Sequence, residues 1–419
     1  MMQIFLLLLD ISLPIVMAYL VLKKGSLSIA YVPFFYFVYS MQEKSKIIAI
    51  YQVILVGLLV YYAVYNLPFL KKNIFFIILI LFFSFQLRVL DDFKPIRYNI
   101  IGWYYTLTII VLAPEICKNY SKEKVFEELG FSAFLLLFFF ILNTGLSTVL
   151  GYYPTETYGF SSGISFGNIS LPQYSVFPFV VFLAFRRGML NKKPLYLIVA
   201  IISLFLIMLT LRRMVMALSL LAILTVMVEL LNFKQLKKFA LYGLVFGIIT
   251  LVVVKTTGFS DQLMERIEKR GLEDREIEGE GRILELGLLY KDLFVYYEYD
   301  PWFGYGPLSS GGNYGKKIFG NRPLHTDFGV FIHGLGFFGL FLYLAMVSMV
   351  FYGAFKRCES RGDWILFIYT SLCFGAFFLV GSPKLPLLPI MMFMTLGILF
   401  GKEENKKKIQ LRSNALVLK

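Results

Sequence analysis

The sequence predicts an all-α fold, a polytopic transmembrane helical bundle of about 12–14 spans, on three observations. Of 419 residues, 58% are hydrophobic and only 16% charged, where an average soluble domain carries roughly 25% charged residues. The mean hydropathy is +0.71. The apolar residues are also gathered into runs of crossing length, separated by short basic clusters. These observations exclude a water-soluble enzyme, a disulfide-stapled secreted domain and a disordered chain.

The first run, 3–22, lacks a basic region and an A-x-A site before it, so it reads as a retained helix rather than a cleaved leader. Further runs follow at 27–41, 47–67, 73–87, 98–116, 128–150, 173–185, 195–211, 214–231, 239–257, 327–352, 364–380 and 387–400. Those at 27–41 and 73–87 fall short of the roughly 20 residues of a straight crossing, which predicts tilted or broken helices. Basic residues cluster between runs: Lys23-Lys24, Lys71-Lys72, Lys118 to Lys124, Arg186 to Lys193, Lys234 to Lys238, Lys356 to Arg361 and Lys402 to Arg412. Alternating the spans backwards from the tail puts every cluster on one side, as the positive-inside rule requires. The net charge of +14 therefore reads as topology, and no nucleic-acid partner is expected. The three cysteines, Cys117, Cys358 and Cys373, lie in or beside basic turns or inside an apolar run, and no disulfide is expected. Residues 1–401 form one transmembrane domain and 402–419 a basic cytoplasmic tail.

Two segments then face outside. One is 151–172, rich in Tyr, Gly and Ser. The other, about 258–326, is long enough to imply a functional loop. Its first part, DQLMERIEKRGLEDREIEGE, holds 8 of the 27 acidic residues and reads as a surface amphipathic helix or a solvated acidic turn. A second helical stretch follows, with Ile283, Leu286, Leu289 and Tyr290 as its apolar positions, and then the Pro/Gly-rich PWFGYGPLSSGG. No internal repeat is visible, which weighs against duplicated transporter folds.

Charged residues outside the cytoplasmic turns carry the chemistry, because charge is costly in hydrocarbon. Arg212 and Arg213 interrupt two apolar runs at the outer ends of adjacent helices. They either snorkel to headgroups or form an outward-facing anion site, for which the planar guanidinium suits phosphate. The two histidines differ. His325, in NRPLHTDFG at the end of the outer loop, suits general acid–base work, or is an ordinary interfacial histidine. His333, in FIHGLGFFGLF, reads as a hydrogen-bonded packing residue. No metal-ligand spacing or phosphate-binding Walker loop is present. Tyr290, Tyr296, Tyr297, Tyr299, Trp302, Phe303 and Tyr305 crowd the loop, as an interfacial belt or as surfaces for stacking sugars.

Three stretches, in this order, resemble the O-antigen ligase and O-antigen polymerase superfamily. LTLRRMVMALSLL is similar to the family's Thr/Ser-x-x-Arg motif, with Arg213 on its arginine. Gly281-Arg282 with Pro301, Gly304 and Gly306 resembles the Gly-Arg…Pro-x-x-Gly-x-Gly pattern of the large outer loop. His325 with Gly336 and Gly339 resembles the His-Asn…Gly-x-x-Gly motif where that loop re-enters the membrane. Arg212 stands where a serine is common, Thr326 where an asparagine is common, and a tryptophan often found shortly after the loop arginine is replaced by Gly287 or a neighbour.

The resemblance implies a fold related to the lipid-dependent (GT-C) glycosyltransferases, in a bacterial inner membrane with the active site outside and the C-terminus cytoplasmic. It implies an undecaprenyl-diphosphate-linked oligosaccharide donor, a glycan or lipid-linked glycan acceptor, and no metal or other cofactor. Arg213 and Arg282 would then hold the diphosphate, with Arg212 or Arg322, and stabilise its departing charge. His325 would take the proton of the acceptor hydroxyl. Trp302 and Tyr305 would line the sugar path. The expected function is repeat-unit polymerisation of O-antigen, capsule or exopolysaccharide. The alternatives are an O-antigen ligase acting on lipid A core, a cell-shape peptidoglycan polymerase, and, from another class, a transporter or flippase of lipid-linked oligosaccharide.

Overall fold

The structure, a computed structural model, describes residues 2–40, 48–89, 96–149, 156–157, 160–161, 171–210, 212–230, 281–381 and 387–403. Long apolar runs can satisfy their backbone groups in lipid only as helices, and helices they are. They are α1 (Met2–Lys24), α2 (Val32–Ser40), α3 (Ile48–Tyr65), α4 (Phe69–Lys72), α5 (Ile74–Gln86), α6 (Arg97–Cys117) and α7 (Lys122–Val149). After these come α8 (Phe177–Leu190), α9 (Pro194–Leu209), α10 (Arg213–Leu230), α11 (Gly281–Phe294), α12 (Asp327–Phe355), α13 (Arg361–Val380) and α14 (Leu387–Gly397). The only β-strands among the described residues pair as a two-residue ribbon, Glu156–Thr157 against Phe160–Ser161.

Among the described residues, six helices are long and apolar enough to cross a membrane: Ile11–Tyr39, Arg97–Cys117, Lys122–Leu146, Arg213–Leu230, Asp327–Phe355 and Arg361–Val380. Shorter apolar helices are Ile50–Tyr65, Ile74–Gln86, Pro194–Met208 and Leu387–Phe400. The chain is a multi-pass helical membrane protein. The count is below the expected twelve to fourteen because several expected spans are short helices and 3–22 joins 27–41 as one apolar stretch; 239–257 lies outside the described residues.

The centre of the bundle is all side chain. From Phe177 to Ala184 every residue of α8 is buried, and so is all of α14. Tyr369 of α13 stacks on Phe182 of α8, with centroids 4.3 Å apart, and its hydroxyl donates to the Pro178 carbonyl at 2.8 Å. Outward faces carry large apolar groups instead: Leu8, Val53, Leu81, Leu224 and Leu372 are all exposed, as lipid-facing positions require.

The described basic clusters converge on one end. Lys24 pairs with Glu128 at 2.5 Å, Lys122 with Asp363 at 3.2 Å, and Arg186 with Glu229 at 2.6 Å. Lys72 and Lys118 share Glu115 at 2.6 and 2.7 Å. Ser121 bridges to Lys402 at the start of the tail. The Lys234 to Lys238 cluster and tail residues 404–419 lie outside the described residues.

Helix α12 corrects the expected single span 327–352. Gly336 takes φ +64°, ψ −167°, so two helical pieces meet there. A helix rises about 1.5 Å per residue, which would hold Phe331 and Tyr343 roughly 18 Å apart along a straight axis. Their rings instead stack with centroids 4.1 Å apart. Residues 327–335 are therefore a re-entrant arm folded back beside the span 337–355, and Gly329 to Gly336 are buried throughout.

Candidate active site at the end opposite the basic clusters

The re-entrant arm leaves backbone groups without helical partners at the reversal, and the Pro/Gly-rich loop supplies them. Tyr305 N–H donates to the His333 carbonyl at 2.7 Å and Gly306 N–H to Gly334 at 2.8 Å. In return Phe337 and Phe338 donate to Pro301 and Trp302 at 2.9 and 3.1 Å. The contact is so close that a Cβ on Gly336 would lie 2.4 Å from Trp302 backbone, and one on Gly304 2.5 Å from the Gly334 carbonyl oxygen. Asp300 shapes the turn, its Oδ1 accepting from Trp302 and Phe303 N–H at 2.7 and 3.0 Å. Two helices, α5 and α6, hold the loop: Gln86 Nε2 donates to Phe303 O at 2.9 Å and Trp103 Nε1 to Leu308 O at 3.2 Å. Irregular backbone at membrane depth is tolerated where protein covers it in this way.

His325 sits at the start of the arm, one residue before its N-cap. Thr326 Oγ1 accepts from Gly329 N–H at 3.0 Å, a cap that asparagine also makes well. Asp327 N–H donates to Gly381 O at 3.0 Å, tying the arm to the end of α13. Phe328 packs edge-on to Phe378 at 5.9 Å, so His325 is recessed below the reversal.

The residue that organises the site was missed by the sequence reading. Glu285 of α11 is 1% exposed and accepts from the His325 backbone N–H at 3.1 Å, contacts His325 Nδ1 at 2.8 Å and pairs with Arg322 at 3.1 Å. Burial pushes its carboxyl up, but the His325 ring and backbone hydrogen bonds and the Arg322 charge outweigh it and hold the group below the ordinary glutamate value. A carboxylate only accepts, so Nδ1 carries the proton and Nε2 is the basic nitrogen. Arg322 Nε, 3.4 Å from Nδ1, is then an electrostatic neighbour. The His325 side chain is 34% exposed and that of Arg322 40%, so a base and a cation both face out over a buried carboxylate.

The signal for Glu285 lay in the spacing. Glu285, Leu289, Asp292 and Leu293 form the buried stripe of α11, while Ile283, Leu286 and Tyr290 point outward, reversing the expected apolar face. Two acids thus share one helical stripe (i, i+7) with leucines between, a spacing that draws attention to Glu285 without saying which stripe turns inward. Asp292 Oδ2 accepts from Gly315 N–H at 2.7 Å, and burial raises its carboxyl against that bond.

His333 is the packing residue expected. It is fully buried, its Nε2–H donates to the Asn313 carbonyl at 3.1 Å, and Tyr305 stacks on it at 5.3 Å with Tyr299 edge-on at 5.0 Å. Trp302 is 64% and Tyr305 42% exposed on the same loop. Arg213 opens α10 and is exposed; Arg212 is half-buried with its guanidinium 5.2 Å over the Tyr174 ring. Both stand on the rim of the arm, since Met214 packs on Gly381, whose carbonyl holds Asp327. Arg282 lies in the first turn of α11, its side chain outside the described residues. The loop before it, 258–280, and most of 151–172 are outside them too. Among the described residues no three His, Cys, Asp or Glu side chains gather as metal ligands.

In comparisons with known proteins, no family model, no curated protein and no solved structure matched the chain.

Proposed function

We propose that the chain is a membrane glycosyltransferase that moves a glycan from a polyprenyl diphosphate to an acceptor sugar hydroxyl, most simply as a polymerase of surface-polysaccharide repeat units at the outer face of a bacterial inner membrane. One observation carries this reading: a buried carboxylate, Glu285, orients an outward histidine and an outward arginine, His325 and Arg322, in a recess at the end of the bundle away from the basic clusters. A base beside a cation is what transfer from a diphosphate needs. As the acceptor oxygen attacks the anomeric carbon, its proton goes to His325 Nε2. The bond from that carbon to the diphosphate oxygen breaks, and the diphosphate leaves with the electron pair, with inversion at the sugar carbon. Arg322, with Arg213 and Arg212 from the rim, would meet the developing negative charge, and Arg282 is the further cation that the resemblance assigns to this role. Glu285 keeps Nδ1 protonated and stabilises the imidazolium that forms.

The test is transfer by purified protein in detergent, given an undecaprenyl-diphosphate oligosaccharide in EDTA. A ladder of lengthening lipid-linked products that His325→Ala abolishes is the expected result. Transfer only after lipid A core is added would make the protein a ligase. Silence with both acceptors would overturn the enzyme reading in favour of transport of lipid-linked sugars. Arg213→Ala should abolish transfer in cells at normal protein level, and unchanged transfer would remove Arg213 from the site.

A further inference from the structure

The basic end of the bundle holds a cleft that the proposed chemistry does not use. It has a volume of about 160 Å³ and opens where α4 and α5, the end of α6 and the end of α12 meet. Lys72, Lys118 and Arg357 line it, with Glu115 as the one carboxylate among its lining residues. Glu115 already takes both lysines: Lys72 Nζ donates to it at 2.6 and 2.8 Å and Lys118 Nζ at 2.7 Å. Arg357 pairs with no carboxylate among the described residues. Its Nη1 donates to the Gly353 carbonyl at 2.7 Å, and its guanidinium lies 4.6 Å over the Phe400 ring. Three cations against one carboxylate leave the cleft with a net charge of +2.

Its surroundings say what kind of anion fits. Met349 lines the cleft and is exposed, and Leu70, Ile74 and Tyr352, close in sequence to its lining residues, are exposed apolar groups. Lys356 Nζ sits 4.4 Å over the Tyr352 ring, an aromatic–cation pair of the kind found where acyl chains give way to headgroups. A phosphate could take charge-assisted hydrogen bonds from Arg357 and the outer faces of both lysines. A free phosphate would use only those bonds, whereas a phospholipid would also cover the apolar flanks.

We propose that this cleft binds the headgroup phosphate of an anionic phospholipid, whose acyl chains lie along the exposed flanks of α5 and α12. Basic pockets between transmembrane helices at the positive face suit such headgroups. Bound there, the lipid clamps the end of α6 to the end of α12 and offsets a surplus of positive charge that the described carboxylates leave uncancelled.

The experiment is native mass spectrometry of the full-length protein, purified in detergent and titrated with phosphatidylglycerol, phosphatidylcholine or inorganic phosphate. The expected result is a single retained phosphatidylglycerol, held at least about tenfold better than phosphatidylcholine and not displaced by millimolar phosphate. Arg357→Gln should weaken that retention about fivefold, the loss expected of one basic residue at an anionic surface, and Arg357→Lys should restore most of it. Lys71→Gln, next to the cleft but not lining it, should change nothing. If Arg357→Gln does not fold, Lys72→Gln reads the same site. Equal retention of both lipids, undiminished retention in the cleft variants, or displacement by inorganic phosphate would each overturn the lipid site.

Discussion

Glu285 is the residue on which the proposed site's geometry and part of its stability meet. Its carboxyl is held below the ordinary value, so the folded state favours its ionised form. The stability that follows is fully present above the unfolded glutamate pKa of about 4.3 and is lost as pH falls through the lowered folded value. Thermal unfolding in detergent from about pH 6 down to about pH 2 should show that loss, below the ordinary glutamate range, in the wild type and a flatter profile in Glu285→Gln. The same variant should slow transfer by about 10²-fold at pH 7 while leaving the amount of folded protein in the membrane unchanged; a wild-type rate would mean that Glu285 does not orient the base. His325→Ala should cost at least as much, about 10²- to 10⁴-fold. Legibility at this scale was uneven. His325 was readable because only two histidines exist and one stands at the end of the outer loop. Glu285 was not singled out, because a glutamate in a helix among leucines looks like any surface acid until the packing shows which stripe turns inward.

At the scale of elements, the working unit is the re-entrant arm with the loop that fills its bend. Gly336 is needed on two counts, a positive φ and a Trp302 backbone 2.4 Å from where a Cβ would stand. Gly336→Ala should therefore destabilise by about 2–4 kcal/mol, read as a lower unfolding midpoint and faster proteolysis within 300–307. Gly287→Ala, at an open position with nothing within 4 Å of its Cβ, should be silent in the same assay. Gln86→Leu removes a donor to Phe303 O and should loosen the loop by about 1 kcal/mol with the bundle intact. The loop's punctuation and the Gly336–Gly339 spacing were visible in the sequence. That one apolar run would double back was not, since hydropathy measures how greasy a run is and not its direction.

At the scale of the whole molecule, the described basic clusters lie at one end and the histidine recess at the other, separated by the buried centre of α6, α8 and α14. The positive-inside rule predicts that the recess faces outside. In a cysteine-free background, Tyr290→Cys, 61% exposed on α11, should react with an impermeant maleimide in intact cells. Lys71→Cys, exposed at the basic end, should react only after permeabilisation. Labelling of both from the same side would overturn the orientation.

The sequence by itself determined the helical membrane class and the grouping of cationic turns at one end, and it pointed to His325 and the Pro/Gly-rich loop as candidates. These follow from local properties: the length of apolar runs, the cost of charge in hydrocarbon, and the scarcity of residues able to move a proton at neutral pH. Only the tertiary structure decided that 327–335 folds back on its own span, that the acidic stripe of α11 faces inward, and that Glu285 lies beneath His325 and Arg322. Each of those depends on contacts between segments tens of residues apart, where packing and the need to pair every buried polar group choose among faces that the local pattern leaves equivalent.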